Sequence, residues 1–401
     1  MIAQTLTCIL EESLVVLNPA RDRVHLLDPS ARVIWDAFAN GLNREEIVAA
    51  LVAGQGNHAD QVQQEIADLL QSWQQEGLTA DTAVIPPTEE SPSGYDIHDP
   101  ADSLYSPYAD DTFRLCDLIF RIRSGDAAIR ERVHALCSHL TAEPEYKHGA
   151  AETVFDFFQP IQHKENWLLV QDGKQRAIAD SLDQAVLALS EELSEIWHER
   201  RDWLLVAHAA ALVQGNTCIL LPGGSGSGKT TLAAALAHNS GCVFLGDELT
   251  PILRDSGHAV AQPFCLRIKQ GSVKPLQSLY PQIDALHPYS WGETNLRFLP
   301  PPDFQQEEAD RTWPVTHIVF PQYECDAPMQ LKPVSPTEAF RLLLGAECLL
   351  GSPILPETVE KLVRWIQERP AFIMKYGNLD EACKVYERIA QAKPDSGPKN
   401  S

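Results

Sequence analysis

The first 79 residues carry hydrophobic positions with two different periods. The stretches SLVVLNP and RVHLL are short apolar runs typical of strands, and NPARD between them has the composition of a turn. Asp28 then follows as an expected N-cap with Pro29 at the first helical position, and Gly77 ends the last of three helical segments. Two strands and three helices predict a winged-helix-like α+β module over residues 1–79.

The first and third helical segments of this module have apolar positions at helical spacing. Asn43 is the expected N-cap of the second segment. The positions expected on one face of the first segment are Val33, Ile34, Ala37 and Phe38. Those expected on one stripe of the third are Val62, Ile66, Leu69, Leu70 and Trp73.

Two segments lack such periodicity. Residues 80–110 are rich in proline, serine and acids, and we interpret them as an exposed linker. Residues 391–401 have the composition of a flexible tail. These segments bound the remaining domain at residues 111–390.

Residues 111–390 mix strand and helix patterns and predict an α/β domain. TFRLCDLIFRIRSG alternates like a strand, and NWLLVQDGKQRAIA reads as a hairpin that turns at Asp172-Gly173. WLLVAHAAALVQGNTCILLPGG predicts two buried strands separated by the turn QGN. Further strands are expected at CVFLGDE, PFCLRIKQG and THIVFPQY, and helices near 336–350 and 356–367.

Composition narrows the class of partner. Lysine plus arginine total 32 against 55 acidic residues, a formal net charge of −23, which argues against a nucleic-acid surface or an anionic membrane as the main partner. The nine cysteines are scattered without a C-x-x-C pair, as in a reduced cytoplasmic protein without a cysteine-based zinc site. The N-terminus lacks a basic region before its apolar residues, and no apolar run approaches membrane-spanning length.

The segment GGSGSGKT satisfies the phosphate-binding pattern G-x-x-x-x-G-K-[ST], between an apolar strand and an alanine-rich helix. Its glycines let backbone N–H groups face phosphate oxygens, Lys229 can reach the β- and γ-phosphates of ATP, and Thr230 can bind Mg²⁺. The alternative is a glycine-rich turn that binds nothing. The residues expected at the nucleotide are Gly223, Gly224, Ser225, Gly226, Ser227, Gly228, Lys229, Thr230 and Thr231.

Charged residues near this segment are further candidates for catalysis, metal binding and phosphate binding. Asp247 and Glu248 follow the next strand, where a carboxylate beside Mg-ATP can hold the metal or take a proton from an attacking hydroxyl. His208 lies on the preceding apolar strand, where a satisfied core histidine is the ordinary interpretation. Arg267 and Lys269 alternate and so share a face that could clamp phosphates, although a solvated basic face fits equally well.

The stretch from His208 to Ile252 resembles the HPr kinase/phosphorylase family, of the PEP-carboxykinase-like group of P-loop proteins. That family has a histidine on a strand, a short turn, a P-loop, its helix and an Asp-Asp pair in this order. The resemblance implies that Lys229 and His208 act at the transferred phosphate and that Thr230 binds magnesium. It also implies that one acid of the pair Asp247 and Glu248 activates the acceptor hydroxyl, while the other helps to hold the metal. It also implies that homo-oligomers can form. Ala209 and Glu248 depart from the family's glycine and second aspartate.

Residues 1–79 resemble PqqD-type domains, which have a winged-helix fold and capture the leader peptides of ribosomally made natural products. The stretch RVHLLDPSARVIWDAF carries this resemblance, with Trp35 as its aromatic residue. The resemblance implies that a leader peptide adds a strand to the small sheet. A DNA-binding winged helix and a purely structural cap are the alternatives, and the net charge makes DNA the weaker one.

Together these features predict an ATP- and Mg²⁺-dependent kinase that phosphorylates a serine or threonine hydroxyl of a precursor peptide. The first rival is a kinase that acts on a sugar or an amino acid. The second is an ATP-gated peptide chaperone without phosphoryl transfer. A winged-helix regulator is the third, and salt-dependent DNA binding would distinguish it.

Overall fold

The computed structural model describes residues 6–18, 23–52, 59–79, 107–143, 151–160, 166–199, 202–292, 294–302, 304–351 and 355–392. These residues form a mixed α/β structure with several sheets, divided into two compact units. As far as its residues are described, the first unit draws on Met1–Glu90, Ser335–Leu342 and Leu350–Glu368. The second draws on Ser91–Val334, Leu343–Leu349 and Arg369–Ser401.

The first unit begins with a three-stranded antiparallel sheet in the order β1-β2-β3. The sequence predicted two strands, and β1 is the additional one, joined to β2 by a tight turn in which Glu11 has a φ of 54°. The elements of this part are β1 (Leu6–Leu10), β2 (Ser13–Asn18), β3 (Arg23–Leu27), α1 (Pro29–Ala39), α2 (Arg44–Val52) and α3 (Ala59–Gln75).

A side-chain cap at the start of α1 and a contact between two tryptophans stabilise the helices that pack on this sheet. Asp28 Oδ1 accepts a hydrogen bond from the Ala31 N–H at 2.8 Å, so the predicted cap is confirmed. The Trp35 and Trp73 rings pack edge to face with centroids 5.5 Å apart. Val33 was predicted to share one face of α1 with Ile34, Ala37 and Phe38, but its side chain is 53% exposed, because α1 buries Ala31, Ile34 and Trp35.

The second unit opens with a five-stranded sheet in the order β4-β5-β6-β7-β8. The stretch predicted as one strand from Thr112 is two strands, because the chain reverses at Cys116, which has a φ of 52°. The predicted hairpin turn at Asp172-Gly173 is confirmed, with φ values of 47° and 82°. The elements are β4 (Ala109–Leu115), β5 (Leu118–Ser124), α4 (Ala127–Cys137), β6 (Thr153–Phe158), β7 (Trp167–Gln171), β8 (Lys174–Ala179) and α5 (Leu182–Glu199).

A ten-stranded sheet forms the centre of the second unit. Its main path runs β12-β10-β11-β18-β14-β13-β9-β20, and β21 pairs with both β18 and β19. Its members are β9 (Trp203–Ala207), β10 (Ala209–Gln214), β11 (Thr217–Pro222), β12 (Val243–Gly246), β13 (Thr250–Leu253), β14 (His258–Val260), β18 (Thr312–Tyr323), β19 (Gln330–Val334), β20 (Leu349–Leu350) and β21 (Ala371–Tyr376).

One predicted strand of this sheet is interrupted at His208. Residues on either side of it belong to β9, which pairs with β13, and to β10, which pairs with β11 and β12. The apolar run was therefore correctly assigned as buried strand, but its two halves have different neighbours. The break leaves His208 at a strand junction rather than within an apolar strand.

A smaller sheet, β15-β17-β16, and several helices complete the second unit. The bounds are α6 (Lys229–Asn239), β15 (Leu266–Lys269), α7 (Gln270–Leu276), β16 (Tyr289–Trp291), β17 (Thr294–Leu299), α8 (Gln306–Ala309), α9 (Pro336–Gly345), α10 (Pro356–Gln367) and α11 (Leu379–Gln391). Of the predicted linker, residues 107–110 are described, and the last two already belong to β4; residues 80–106 and the tail from 393 lie outside the described residues.

The first unit also contains chain from far downstream. Helix α10 packs against β1 and β2. Thr337 donates from its backbone N–H to Glu11 Oε2 at 3.0 Å and from its hydroxyl to the Leu10 carbonyl at 3.2 Å. Residues 1–79 are therefore completed by two segments that the sequence-based boundaries assigned to another domain.

Candidate functional site

The glycine-rich loop, Gly223–Gly228, joins the end of β11 to the start of α6. Gly228 has a φ of 86°, and a Cβ there would lie 2.8 Å from the Cβ of Tyr323. Both the backbone conformation and the close packing therefore require glycine at this position. The loop is held at both ends: the Gly223 N–H donates to the His208 carbonyl at 3.3 Å, and the Tyr376 hydroxyl donates to the Gly228 carbonyl at 3.1 Å. Its backbone is thus fixed beside the N-terminus of an eleven-residue helix.

Lys229 is the first residue of α6 and is 5% exposed. Its Nζ donates to the backbone carbonyl of Asp247 at 2.7 Å. This contact joins the glycine-rich loop to the end of β12, where both predicted acids lie. A buried ammonium is costly unless it is paired or has a function, so Lys229 is a candidate site residue.

Asp247 is 4% exposed, and neither of its carboxylate oxygens has a hydrogen-bond partner by distance and angle among the described residues. Burial raises the pKa of Asp247 above its usual range, and the neighbouring charge of Glu248 raises it further. The ammonium of Lys229 and the hydroxyl of Thr230 oppose this rise in the pKa without cancelling it. A buried carboxylate left in this state is suited to receive a cation.

Glu248 has the opposite character. Its Oε2 lies 3.5 Å from Nε2 of His208, and its side chain is 38% exposed. Burial opposes ionisation of Glu248, but the hydrogen bond with His208 and the charges of Lys229 and Arg267 outweigh it, so the pKa of Glu248 is lowered. The two adjacent acids therefore differ: Asp247 is buried and has no hydrogen-bond partner by geometry in the described part of the chain, whereas Glu248 is partly exposed and lies 3.5 Å from His208.

Arg267 and Lys269 alternate with buried residues along β15. The Lys269 ammonium donates to Ser225 Oγ of the glycine-rich loop at 2.7 Å. Arg267 donates to Ser190 Oγ of α5 at 2.9 Å and influences the ionisation of Glu248. The structure thus places these two residues, like the glycine-rich loop, in the second unit, and Lys269 contacts the loop directly.

Three residues of this region were missed by the sequence analysis. Tyr323 and Tyr376 end β18 and β21 and contact the loop, and Cys348 lies beside His208. Burial raises the pKa of Cys348 to about 12, against a hydrogen bond from the His208 backbone and the charge of Lys229, so its thiol is neutral. The sequence near Cys348 gives no sign of this placement. The two tyrosines could have been found, because they end strands that run parallel to β11, and the carboxyl ends of parallel strands form the ligand-binding edge of a sheet.

Two features are absent from the described residues. Within these ranges, no group of three or more His, Cys, Asp or Glu side chains is arranged to hold a metal ion. None of the described helices combines the length and the apolar character that a membrane span needs.

Comparison with known proteins identifies part of the first unit. The family model described as coenzyme PQQ synthesis protein D (PqqD) matches residues 13–78, from β2 to the turn after α3. These residues form a PqqD-like domain. No curated protein matches the chain.

Proposed function

From the PqqD-like domain and the buried charges around the glycine-rich loop, we propose that the protein is an ATP- and Mg²⁺-dependent kinase. It transfers the γ-phosphoryl group of ATP to a serine or threonine hydroxyl of a ribosomally made precursor peptide. The observation that carries the proposal is the 2.7 Å hydrogen bond from Lys229 to the main chain of Asp247, beside Glu248. It brings the lysine of a phosphate-binding pattern together with two carboxylates.

The glycine-rich loop supplies the phosphate site in this proposal. Backbone N–H groups of the loop and the N-terminus of α6 favour phosphate oxygens, and Lys229 adds a positive charge at the β- and γ-phosphates. Lys269 supports the loop through Ser225. The phosphate-binding pattern of the sequence and its resemblance to HPr kinase are the grounds for this interpretation.

The residues present fit a magnesium ion. Asp247 offers a buried carboxylate without a partner among the described residues, and the Thr230 hydroxyl is its neighbour. Mg²⁺ needs only one or two carboxylates when substrate phosphates and waters complete its shell, so a larger cluster of acids is not required. When bound, the ion neutralises charge on the transferred phosphoryl group.

Glu248 is the proposed base. Its carboxylate is ionised and partly exposed, and His208 orients it at 3.5 Å. The acceptor hydroxyl oxygen forms a bond to the γ-phosphorus while the bond to the ADP oxygen breaks, and the hydroxyl proton passes to Glu248. Positioning and charge neutralisation supply most of the rate enhancement in such transfers.

The PqqD-like domain recruits the peptide in this proposal, within its winged-helix-like fold. In the three-stranded sheet, α10 packs against β1, and β3 is the other edge strand. An extended leader peptide that pairs with β3 would gain main-chain hydrogen bonds without displacing α10.

The test is transfer to a cognate precursor peptide by the full-length chain with Mg-ATP. We expect a product heavier by about 80 Da, with the modification on serine or threonine. Asp247→Asn and Glu248→Gln should each abolish it, while Glu307→Gln, at an exposed acid of α8, should not. An unmodified peptide under conditions in which both peptide and ATP bind would favour the chaperone alternative.

A further inference from the structure

Tyr323 is an exposed aromatic residue at the rim of the glycine-rich loop. It is the last residue of β18, and its side chain is 50% exposed. Its backbone N–H donates to the Ser227 carbonyl at 2.9 Å, and its Cβ abuts Gly228. No step proposed above uses its ring.

Hydrogen bonds and close packing fix the backbone that follows Tyr323. The Glu324 N–H donates to the Tyr376 carbonyl at 3.0 Å, and the Ala327 N–H donates to the Glu324 carbonyl at 3.0 Å. A Cβ at Gly377 would lie 2.6 Å from the Ala327 nitrogen, so this turn packs directly on the end of β21. The Tyr323 and Tyr376 rings pack edge to face with centroids 5.7 Å apart, and this contact restrains the Tyr323 ring.

The sheet order shows on which side of the loop this ring lies. Strand β11 leads into the loop, and the path β12-β10-β11-β18 puts the acids after β12 on one side and Tyr323 on the other. Strands β11, β18 and β21 are parallel, so their carboxyl ends share one edge of the sheet. A triphosphate whose γ end faces Asp247 and Glu248 therefore directs its nucleoside toward β18.

We propose that the Tyr323 ring is the platform on which the nucleobase of the bound nucleotide stacks. This inference rests on the nucleotide binding proposed above. A base gains favourable stacking energy on an aromatic ring whatever its hydrogen-bonding groups, so the platform accepts adenine and guanine alike. Tyr323 is 50% exposed beside its contacts with Tyr376 and the glycine-rich loop, so part of its ring surface is open to a base.

The test compares two probes that share phosphates but differ in the nucleoside: Mg-ATP and Mg-tripolyphosphate. Dissociation constants are measured by calorimetry for the full-length chain and for Tyr323→Ala and Tyr323→Phe. Alanine keeps the Cβ that abuts Gly228, so the loop contact survives. Tyr108→Ala is the matched control, since this tyrosine is 61% exposed elsewhere in the second unit.

We expect Tyr323→Ala to weaken Mg-ATP binding about 10-fold and to leave tripolyphosphate binding unchanged. Tyr323→Phe and Tyr108→Ala should bind ATP like the parent chain. Unchanged ATP affinity in Tyr323→Ala, or equal weakening of both probes, would overturn the platform while leaving the phosphate site intact. Failure of the parent chain to bind either probe would instead overturn the proposed nucleotide site, and the platform with it.

Discussion

The PqqD-like domain and the region around the glycine-rich loop differ in what they bury. The domain has an apolar interior centred on Trp35 and Trp73. The loop region encloses Lys229 and Asp247, which are 5% and 4% exposed. Burial of charge opposes folding, whereas burial of tryptophan promotes it. The interior of the domain therefore contributes to stability, whereas the buried charges of the second unit oppose folding and are the groups to which the proposed function assigns a chemical role.

The largest expected effect comes from removing the buried ammonium. Lys229→Met should lower the rate of phosphoryl transfer by at least about 10³-fold, because charge stabilisation in a water-excluded site is lost. Affinity for the leader peptide, measured by fluorescence anisotropy, should stay unchanged. Lys274→Met, at an exposed position of α7, is the control. Loss of peptide affinity in Lys229→Met would contradict the assignment of peptide binding to the PqqD-like domain and of phosphoryl transfer to the second unit.

The corresponding substitution in the PqqD-like domain removes the buried Trp35. Trp35→Ala should destabilise the first unit by about 3–5 kcal/mol, because a large buried side chain leaves a cavity. Urea unfolding followed by circular dichroism measures this, and calorimetry should find the affinity for Mg-ATP unchanged. Val33→Ala, two residues away and 53% exposed, should change stability by less than about 0.5 kcal/mol. Equal effects of the two substitutions would contradict the packing described for α1.

A substitution at Asp247 should raise stability while it removes activity. The pKa of Asp247 is raised in the folded state, so its contribution to stability is present below its ordinary pKa and is lost as pH rises through the raised one. Asp247→Asn should therefore stabilise the metal-free protein by about 1–3 kcal/mol at neutral pH and by less in acid. Thermal unfolding at several pH values measures the difference. A lower Tm for Asp247→Asn at pH 7 would show that the ionised carboxylate already has a stabilising partner.

The smallest effect concerns a helix cap. Asp28→Ala removes the hydrogen bond to the Ala31 N–H at 2.8 Å and should cost about 1 kcal/mol in urea unfolding. Asp28→Asn keeps an acceptor oxygen and should lie within a few tenths of a kcal/mol of the parent. Phosphoryl transfer to saturating peptide should be the same in both variants.

Local features of the fold could be predicted from the sequence, whereas remote pairings could not. The cap at Asp28 and the hairpin at Asp172-Gly173 depend on neighbouring residues, and both predictions are confirmed. The strand break at His208 depends on which partners its two halves find, and the apolar run does not specify them. Tyr323 contacts the loop because β18, nearly a hundred residues later, pairs with β11. The packing of α10 on β1 and β2 has the same remote origin.

The proposed function requires that the PqqD-like domain captures the peptide that the second unit phosphorylates. Its most direct test is the steady-state rate of phosphoryl transfer to a precursor peptide with its leader and to the same peptide without it. We predict that the leader lowers KM at least about 10-fold and leaves kcat nearly unchanged, because it supplies binding to the PqqD-like domain and not to the reacting groups. Equal kcat/KM for the two peptides would contradict the account.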